Sequence, residues 1–554
     1  MPSIDLHFTQ QEWLTKYGGV VGIMMGPRPG LFIQGAPYVQ DALKKPEFQG
    51  RPETHDFKER SYGKIMGIFT GNGAQWQVSR KFTVRFIKGV KNFEDILQLE
   101  MDELTSRIKS GQSYQIDDLF KESTVNIIWT ILSGMRCTVA DQRIKSLLDN
   151  LTNSFRSGRP GSPLSSIFNI IPPLSRFDEG KRIQRKATHM LRGFFKVSFN
   201  SFLHRLRLLW EKVALFFFND FSPLCFCLVL ASWLPLTIGA YILRKSDPRN
   251  RKGHRCFAGP ILYLGQACQL WVPASWLNLG KKLWRRTCAG DFIAVNVMFL
   301  YVSTLFQKYS VHRDPNNPDL QTKAMAGFTT SPPFMIELII FQVHGVQQEN
   351  LIIVSMDIFS AGYETLSSSM AFAVLYMILY PAIQTKLHQE LDEHLGSRRP
   401  TLDDKHHLHY VQAIIHEVFR INTIAPITVP HCCMENTTFY DYFIPKDTMI
   451  FISLWSLFHD EKNFEEPSKF KPERFLSPEG KFDKSNPNAI NFGIGRRSCA
   501  GDFVAQNVMF LYVTTFFQKY SVHRDPNNPD LSTKAMSGFT TAPQPFKAII
   551  RERY

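Results

Sequence analysis

Residues 491–501 read NFGIGRRSCAG and directly precede an amphipathic helical pattern. Cys499 stands at the predicted start of that helix, where the helix N-terminus and nearby backbone N–H groups would stabilise a thiolate. Such a thiolate is a ligand for a soft or borderline metal. A capped helix with a buried cysteine would explain Cys499 alone, but it would not explain the residues around it.

The other residues of this segment suit a flat ligand beside the sulfur. Gly493 and Gly495 let the backbone turn tightly, and Phe492 can shield the sulfur. Arg497 can pair with a carboxylate. Together, these residue types at this spacing predict a pocket in which the cysteine binds a metal.

The spacing F-x-x-G-x-R-x-C-x-G resembles the haem-binding loop of the cytochrome P-450 monooxygenases, and the chain is most similar to the animal microsomal members. The matching residues are Phe492, Gly495, Arg497, Cys499 and Gly501. In that family the cysteine thiolate is the axial ligand of the haem iron and favours cleavage of the O–O bond. The resemblance implies haem (iron protoporphyrin) as the cofactor, Cys499 as the metal ligand, and these residues with Gly493 as the binding loop.

A second motif of the family lies inside a long helical pattern. Residues 361–365 read AGYET and are similar to the oxygen-activation motif A/G-G-x-D/E-T. The resemblance implies catalytic roles for Gly362, Glu364 and Thr365, since an acid and a hydroxyl can order water and deliver protons. A threonine inside a helix more often bonds only to the preceding turn, so the expectation for Thr365 depends on Gly362 beside it.

Two further segments occur in the family's order. Residues 417–420 read EVFR and resemble E-x-x-R, and residues 472–475 read PERF. An ion pair between Glu417 and Arg420 on one helix face is usually worth little by itself. With Arg474 added, the resemblance implies a buried structural network that holds the cysteine loop in place.

The segment WQVSR at residues 76–80 resembles a W-x-x-x-R pattern in which Trp76 and Arg80 would bond a haem propionate. The chain also departs from the family. Cys432 follows Pro430 and His431 where the microsomal group commonly has arginine, which removes one propionate ligand. Asp441 and Asp447 replace two expected glycines.

An internal repeat indicates that the middle of the chain is foreign to the fold around it. Residues 285–330 match residues 496–541 at a constant offset of 211, and all but seven of 46 positions are identical. Cys288 in the earlier copy lacks the Phe/Gly loop, so we expect no haem binding there. Residues 221–243 contain no charge and precede a basic flank, which predicts an anchor-like membrane span.

We therefore expect a mainly α fold with a minor β-sheet, a cytochrome P-450-like helical fold interrupted by an inserted segment. The expected parts are 1–200 and 336–554, which carry the haem domain, and an anomalous insertion at 201–335 that suggests tandem copies assembled into a chimera. Amphipathic spacing predicts helices over 93–110, 116–133, 350–380, 406–420 and 501–520. Shorter β-like stretches occur at 20–34 and 438–452.

Composition sets broader limits. A chain with 44% hydrophobic and 20% charged residues is globular, which excludes disordered, collagen-like and coiled-coil classes. The net charge of +15 suits an acidic protein, anionic lipid or nucleic acid, and only the charge supports nucleic acid. The nine cysteines include no CxxC pair of the kind that zinc sites use.

The resemblance implies a membrane-associated haem-thiolate monooxygenase that inserts one atom of dioxygen into a hydrophobic small molecule of the steroid, lipid or xenobiotic class. An NADPH-dependent cytochrome P-450 reductase would supply electrons, steered by a basic face that includes Lys469, Lys471, Arg474, Arg496 and Arg497. The expected location is the endoplasmic reticulum membrane, with the catalytic part facing the cytosol. One alternative is a non-catalytic, mis-assembled product whose haem pocket never closes. Another, an oxygen-independent haem-thiolate isomerase, is disfavoured by Glu364 and Thr365.

Overall fold

A computed structural model describes the backbone of most of the chain outside its middle segment. The predicted span 221–243 and the repeat copy 285–330 lie outside the described residues. The chain divides into two compact units, one formed by Met1–Lys196 with Lys323–Tyr554 and the other by Val197–Thr322. The described residues are 12–13, 15–25, 27–90, 92–134, 136, 142–157, 177–220 and 348–554.

Helices form most of the first unit. The helices are α1 (Tyr38–Lys44), α2 (His55–Arg60), α3 (Gly73–Lys88), α4 (Phe93–Ser106), α5 (Ile116–Ser133), α6 (Gln142–Ser157), α7 (Glu179–Asp220), α8 (Gln348–Leu379), α9 (Pro381–His394), α10 (His409–Asn422), α11 (Leu454–Phe458) and α12 (Asp502–Lys519). The last part of α7 belongs to the second unit. Short 3₁₀ turns occur at Pro46–Gln49, Leu402–His406, Pro472–Phe475 and Gly495–Arg497.

The strands are short and form three small sheets. They are β1 (Val20–Met25), β2 (Arg28–Ile33), β3 (Gln112–Gln115), β4 (His431–Cys432), β5 (Thr437–Phe439), β6 (Tyr442–Ile444), β7 (Met449–Ile452), β8 (Tyr520–Arg524) and β9 (Lys547–Glu552). A four-stranded sheet has the order β1-β2-β7-β4, a three-stranded sheet has the order β3-β9-β8, and β5 pairs with β6. The expected fold class, mainly α with a minor β-sheet, is confirmed.

The four-stranded sheet joins the two ends of the chain. Strand β2 pairs in parallel with β7, with Leu31 opposite Ile450 and Ile33 opposite Ile452. These side chains are buried, since each strand carries β-branched or large apolar residues. The sheet therefore fixes the N-terminal segment against the C-terminal half that carries the cysteine loop.

Helix α8 is the core of the helical part. Its sequence is apolar on all sides, and nearly every residue from Asn350 to Ile378 is buried. It packs against α5 and α12, both of which are also mostly buried. The exception is the stretch around Ala361, where the helix faces an internal cavity.

Within the described residues, no single helix has the length and apolar content needed to cross a bilayer. Helices α8 and α9 meet those criteria only when they are taken together, and a bend of 108° separates them.

Candidate functional site

A cavity of about 700 Å³ lies between the cysteine loop, α8 and the N-terminal helices. Its wall is mostly apolar, and polar groups are placed at a few points, which is usual for small-molecule sites. The cysteine loop contributes Phe492, Gly493, Cys499 and Gly501 to the wall, and α8 contributes Gly362 and Thr365.

The cysteine loop owes its shape to two glycines in the left-handed region. Gly493 has φ 67° and Gly495 has φ 77°, values that side chains rarely adopt. A Cβ on Gly495 would lie 2.5 Å from the carbonyl oxygen of Leu43, so α1 could not approach as it does. The backbone N–H of Cys499 donates to the carbonyl of Phe492 at 2.8 Å and closes the loop.

Cys499 faces the cavity from inside the protein. Its side chain is open to the cavity, while protein surrounds the sulfur on the other sides. Burial raises the pKa of the thiol, while a backbone hydrogen bond from Gly501 and the charge of Arg80 oppose this rise. Desolvation is the largest of these effects, and the backbone N–H of Gly501 acts in the direction expected at a helix N-terminus.

Arg497 points its guanidinium at backbone carbonyls. Its Nε donates to the carbonyl of Gln49 at 2.8 Å, and one terminal nitrogen donates to that of Gly71 at 2.9 Å. The other terminal nitrogen is buried without a partner among the described residues. Burial, with the charge of Arg80 as a second cause, lowers the pKa of Arg497 to about 9.

Arg51 is a residue of the site that sequence reasoning missed. It is buried in the cavity wall and donates to the carbonyls of Phe69, Val429 and Pro430 at 3.0–3.2 Å. Burial and the nearby charge of Arg497 lower its pKa well below the usual range. It contacts the segment in which Cys432 replaces an arginine, so the cavity keeps a cation there.

The W-x-x-x-R segment is arranged differently from the expectation. The indole N–H of Trp76 donates to the carbonyl of Ile68 at 3.0 Å, and Trp76 does not line the cavity. The single indole donor is already used in this arrangement, so a bond from Trp76 to a propionate stays a prediction that would require the contact with Ile68 to break. Arg80 does line the cavity, and its guanidinium donates to the carbonyl of Ser498.

Arg51, Arg80 and Arg497 thus converge on one part of the cavity, and none forms an ion pair with a described carboxylate. Buried cations are normally paired, so this cluster calls for an anion from outside the chain. The two propionates of haem have the required charge, and the free thiol of Cys499 lies in the same cavity. The residues present therefore fit a haem group.

On α8, Thr365 and Gly362 face the cavity. The hydroxyl of Thr365 donates to the carbonyl of Ala361 at 2.7 Å, so its oxygen still has lone pairs to accept a hydrogen bond. A Cβ on Gly362 would lie 2.8 Å from the end of the Ile128 side chain. The glycine therefore lets α5 approach α8 closely beside Thr365.

Glu364 is not at the cavity wall. Its carboxylate is buried and pairs with Arg156 of α6, which also donates to the carbonyl of Thr540 at 2.6 Å. The structure therefore does not bring Glu364 and Thr365 together at the cavity wall, and the catalytic role of Glu364 stays a prediction. Successive helix residues point in directions about 100° apart, so only one of the two can face the cavity squarely.

The predicted structural network is brought together. Glu417 and Arg420 are fully buried, and both nitrogen–oxygen contacts between them measure 2.7–2.8 Å. Arg474 donates to Glu417 at 3.1 Å, and the backbone N–H of Lys471 donates to the same oxygen at 3.0 Å. Arg420 also donates to the carbonyl of Phe458 at 2.9 Å. The network ties α10 to the segment that leads into the cysteine loop.

The structure describes two of the positions at which the chain departs from the family pattern. Asp447 adopts φ 64°, the left-handed conformation for which glycine is better suited. Cys432 is buried in β4, and the ring of the adjacent His431 contacts the carbonyl of Phe48 at 2.7 Å through Nδ1. Burial lowers the pKa of His431 well below its usual range, so this ring stays neutral.

The expected basic face is largely neutralised. Lys469 pairs with Glu466, and Lys471 pairs with Glu465 at 3.2 Å. Arg474 and Arg497 are engaged in the buried contacts described above. Of the five cations, only Arg496 is exposed without an ion pair to a described carboxylate.

Comparison with known proteins gives a consistent picture. The family model described as Cytochrome P450 matches residues 5–201 and 333–550. Farnesoate epoxidase of Bombyx mori is 23% identical over 99% of this chain and 88% of its own length. Cytochrome P450 2G1 of Oryctolagus cuniculus is 25% identical over 97% of this chain and 87% of its own length. Cytochrome P450 2J2 of Homo sapiens is 27% identical over 97% of this chain and 85% of its own length.

The two matched segments leave residues 202–332 between them and together cover well over half of the chain. The domain boundaries at 200 and 335 stay a prediction. The chain belongs to the cytochrome P450 family, whose cofactor is haem held by a cysteine thiolate, and it is an oxidoreductase of the monooxygenase type that takes electrons from a redox partner and acts on a hydrophobic substrate.

Proposed function

We propose that this chain binds haem through Cys499 and inserts one atom of dioxygen into a hydrophobic small molecule. The observation that carries the proposal is the shared cavity, in which a free thiol lies together with three arginines that form no ion pair with a described carboxylate. When bound, haem supplies oxygen activation, and thiolate ligation favours cleavage of the O–O bond.

The arginine cluster would hold the two propionates. Arg51 and Arg497 are oriented by carbonyl contacts, and the unpartnered terminal nitrogen of Arg497 is a donor that a carboxylate can satisfy. Charge-assisted bonds of this kind are stronger than neutral ones, which offsets the cost of burying the cations. Phe492 packs edge-on against Phe419 and fixes the start of the cysteine loop.

Thr365 would place a water molecule at the cavity wall. Because its hydroxyl hydrogen points to the Ala361 carbonyl, its oxygen can accept a hydrogen bond from water. Such a water can pass a proton toward the site of oxygen reduction. Glu364 would take part only after its ion pair with Arg156 opens.

The mostly apolar wall supports a substrate of the steroid, lipid or xenobiotic class. One relative, farnesoate epoxidase, is named for a reaction on farnesoate. We also propose that an NADPH-dependent cytochrome P-450 reductase is the electron donor and that the chain is bound to the endoplasmic reticulum membrane with its catalytic part in the cytosol. The resemblance to the animal microsomal members supports both.

The central experiment is a carbon-monoxide difference spectrum of the reduced, purified chain. We expect a Soret band typical of thiolate ligation in the wild type, the same band in Cys288→Ala, and no band in Cys499→Ala. Cys288 is the matched control because it occupies the equivalent position in the repeat. Absence of the band in the wild type, or equal loss in both variants, would contradict the proposal and favour the non-catalytic alternative.

Thr365 can be tested separately. Thr365→Ala should keep its haem and still bind substrate, but it should divert more reducing equivalents to hydrogen peroxide, because the proton-carrying water loses its acceptor. The measurement is the ratio of product to NADPH consumed, and Thr365→Ser, which retains the hydroxyl, is the control. Unchanged coupling in the alanine variant would remove Thr365 from the mechanism.

A further inference from the structure

A loop of seven residues contacts both α8 and two of the three arginines of the cavity wall. The loop comprises residues 66–72, reads MGIFTGN and directly precedes α3; we call it the anchor loop. Its backbone N–H groups are bound by side chains of α8, and its carbonyls accept hydrogen bonds from the arginines. The anchor loop therefore connects two parts of the site that are far apart in the sequence.

Two buried side chains of α8 bind the anchor loop. One carboxylate oxygen of Asp357 accepts from the backbone N–H groups of Ile68 and Phe69 at 2.8 and 3.1 Å. The side-chain oxygen of Asn350 accepts from the N–H of Gly67 at 2.9 Å. Because Asn350 and Asp357 are about two helical turns apart, they lie on one face of α8. Three consecutive N–H groups of the loop are thus bound by one helix.

The anchor loop has a shape that lets it approach α8 closely. Gly67 has φ 82°, and a Cβ on it would lie 2.2 Å from a carboxylate oxygen of Asp357. The hydroxyl of Thr70 donates to the carbonyl of Met66 at 2.7 Å and closes the turn. A side chain at position 67 would therefore push the loop away from its contacts on the helix.

The other side of the anchor loop orients two arginines. The carbonyl of Phe69 accepts from Nε of Arg51 at 3.1 Å, and that of Gly71 accepts from a terminal nitrogen of Arg497 at 2.9 Å. The side-chain oxygen of Asn72 accepts from the same nitrogen of Arg497 at 3.1 Å and from the backbone N–H of Arg51 at 2.8 Å. These contacts leave one terminal nitrogen of Arg497 without a partner among the described residues.

One peptide group of the loop is bound at both ends. The N–H of Phe69 donates to Asp357, and the carbonyl of Ile68, in the same peptide group, accepts from the indole N–H of Trp76. A peptide group is a rigid plane, so a displacement at the Asp357 end also moves the Trp76 end. Contacts on α8 are therefore transmitted through the backbone to the residues around the arginines.

We propose that Asp357 and Asn350 are positioning residues for Arg51 and Arg497, and that they act through the anchor loop. The inference rests on the proposed function, because it concerns how the same cavity would hold the two propionates of haem. Arginines that are already oriented can bind a dianion without the cost of ordering their side chains. Since α8 also carries Thr365, one helix would set the position of the haem relative to the oxygen-activation hydroxyl.

The test compares haem with haem dimethyl ester, whose propionates carry no charge. Each is loaded into the purified full-length chain, and its rate of transfer to an excess of apo-globin is measured. In the wild type we expect the ester to be lost at least about tenfold faster, since a hydrogen bond to a charged group contributes that much. In Asp357→Leu the two rates should approach each other, because displaced arginines no longer favour the charged form.

Three further variants show whether the effect is one of position. Asn350→Leu removes a single loop contact and should lower the ratio of the two rates less; it also serves if Asp357→Leu does not fold. Asp357→Asn keeps an oxygen for the two N–H groups and should retain the wild-type ratio. Gln384→Leu is the matched control, since Gln384 is buried, accepts from the N–H of Val522 at 2.8 Å and does not line the cavity.

A merely structural role predicts a different result for these variants. General destabilisation speeds the loss of haem and of its ester alike, so Gln384→Leu should leave their ratio unchanged. If Asp357→Leu speeds both losses equally, or if Gln384→Leu lowers the ratio as much as Asp357→Leu does, the positioning role is wrong.

The outcomes separate this proposal from the proposed function. A normal carbon-monoxide spectrum of the wild type, with a ratio that survives in both Asp357→Leu and Asn350→Leu, would overturn the positioning role alone. Equal loss of haem and ester from the wild type would also overturn it. Absence of the thiolate band, with a ratio that still depends on Asp357, would overturn the haem-thiolate proposal and leave this one standing. A wild type that retains neither compound would overturn both.

Discussion

The guanidinium carbon of Arg497 lies 3.6 Å from the centroid of the Trp76 ring. The ring is fixed in turn by the bond from its N–H to the carbonyl of Ile68. Trp76 therefore acts as a positioning residue: it supports the face of the guanidinium while the edge remains directed at carbonyls and at the cavity. We propose that the W-x-x-x-R pattern contributes to cofactor binding through this stacking and through Arg80.

Replacing Trp76 should loosen haem without removing any group in direct contact with it. A cation–π contact of about 1–2 kcal/mol predicts that Trp76→Leu loses haem roughly 5- to 30-fold faster. The measurement is the rate of haem transfer to an excess of an apo-globin. Trp76→Phe, which keeps an aromatic face, should show a smaller change, and equal rates in wild type and Trp76→Leu would contradict the stacking role.

Removing only one partner of the ion pair between Arg156 and Glu364 should strongly lower the free energy of unfolding. Arg156→Met leaves a buried carboxylate without its partner, and we expect a loss of about 3–5 kcal/mol in the free energy of unfolding. The double variant Arg156→Met/Glu364→Gln should recover much of that loss. Denaturant unfolding of both variants measures the difference. A loss below about 1 kcal/mol in the single variant would show that the pair is solvated.

Glu417 should contribute more to the free energy of unfolding than an exposed carboxylate that also forms an ion pair. Glu417→Gln removes the charge that two buried arginines share, for an expected loss of about 3 kcal/mol or more and a lower haem-loaded yield. Glu466→Gln, which breaks the exposed pair with Lys469, is the matched control and should cost far less, because exposed ion pairs contribute little to stability. Similar losses in the two variants would argue against a special role for the network.

His416 should make the protein acid-sensitive. Burial among Phe419, Phe475 and Phe482 lowers its pKa to about 3 from a usual value of 6.5. Below pH 6.5 the unfolded chain therefore binds a proton that the folded chain excludes, so stability falls as the pH falls from 6.5 toward 3. His416→Phe should flatten this dependence by about 1.4 kcal/mol per pH unit in that window. Parallel stability curves for the two proteins between about pH 7 and pH 5 would refute this account.

Much of the fold could be predicted from the sequence where one periodic pattern dominates. Helix α5 was expected at 116–133 and has those bounds, and α8 and α12 differ from expectation by one or two residues at each end. The sheet β3-β9-β8 was not anticipated, because its strands are far apart in the chain and β3 contains mostly polar residues. Pairing between distant segments leaves little trace in a local pattern.

In the candidate site, too, residues within one local motif could be predicted, whereas residues that only folding brings together could not. Cys499 and the left-handed glycines follow from one contiguous motif, so sequence reasoning reached them. Arg51 stands in a loop without a motif of its own, and it enters the cavity wall only because Val429 and Pro430 fold back against it. Neither the pairing of Glu364 with Arg156 nor the stacking of Trp76 could be read from spacing, because both depend on which side of a helix meets which neighbour.

The cluster of Arg51, Arg80 and Arg497 also bears on how much of this protein a cell can hold. Three like charges held together without an ion pair to a described carboxylate repel one another, and mutual repulsion adds to the burial that lowers the pKa of Arg51 and Arg497. A newly synthesised chain bears this penalty until a dianionic prosthetic group neutralises it, so ligand binding and folding stability are linked. Chains that fail to acquire the group would populate opened states and be removed by quality-control proteases. The supply of haem would thereby limit the abundance of the protein.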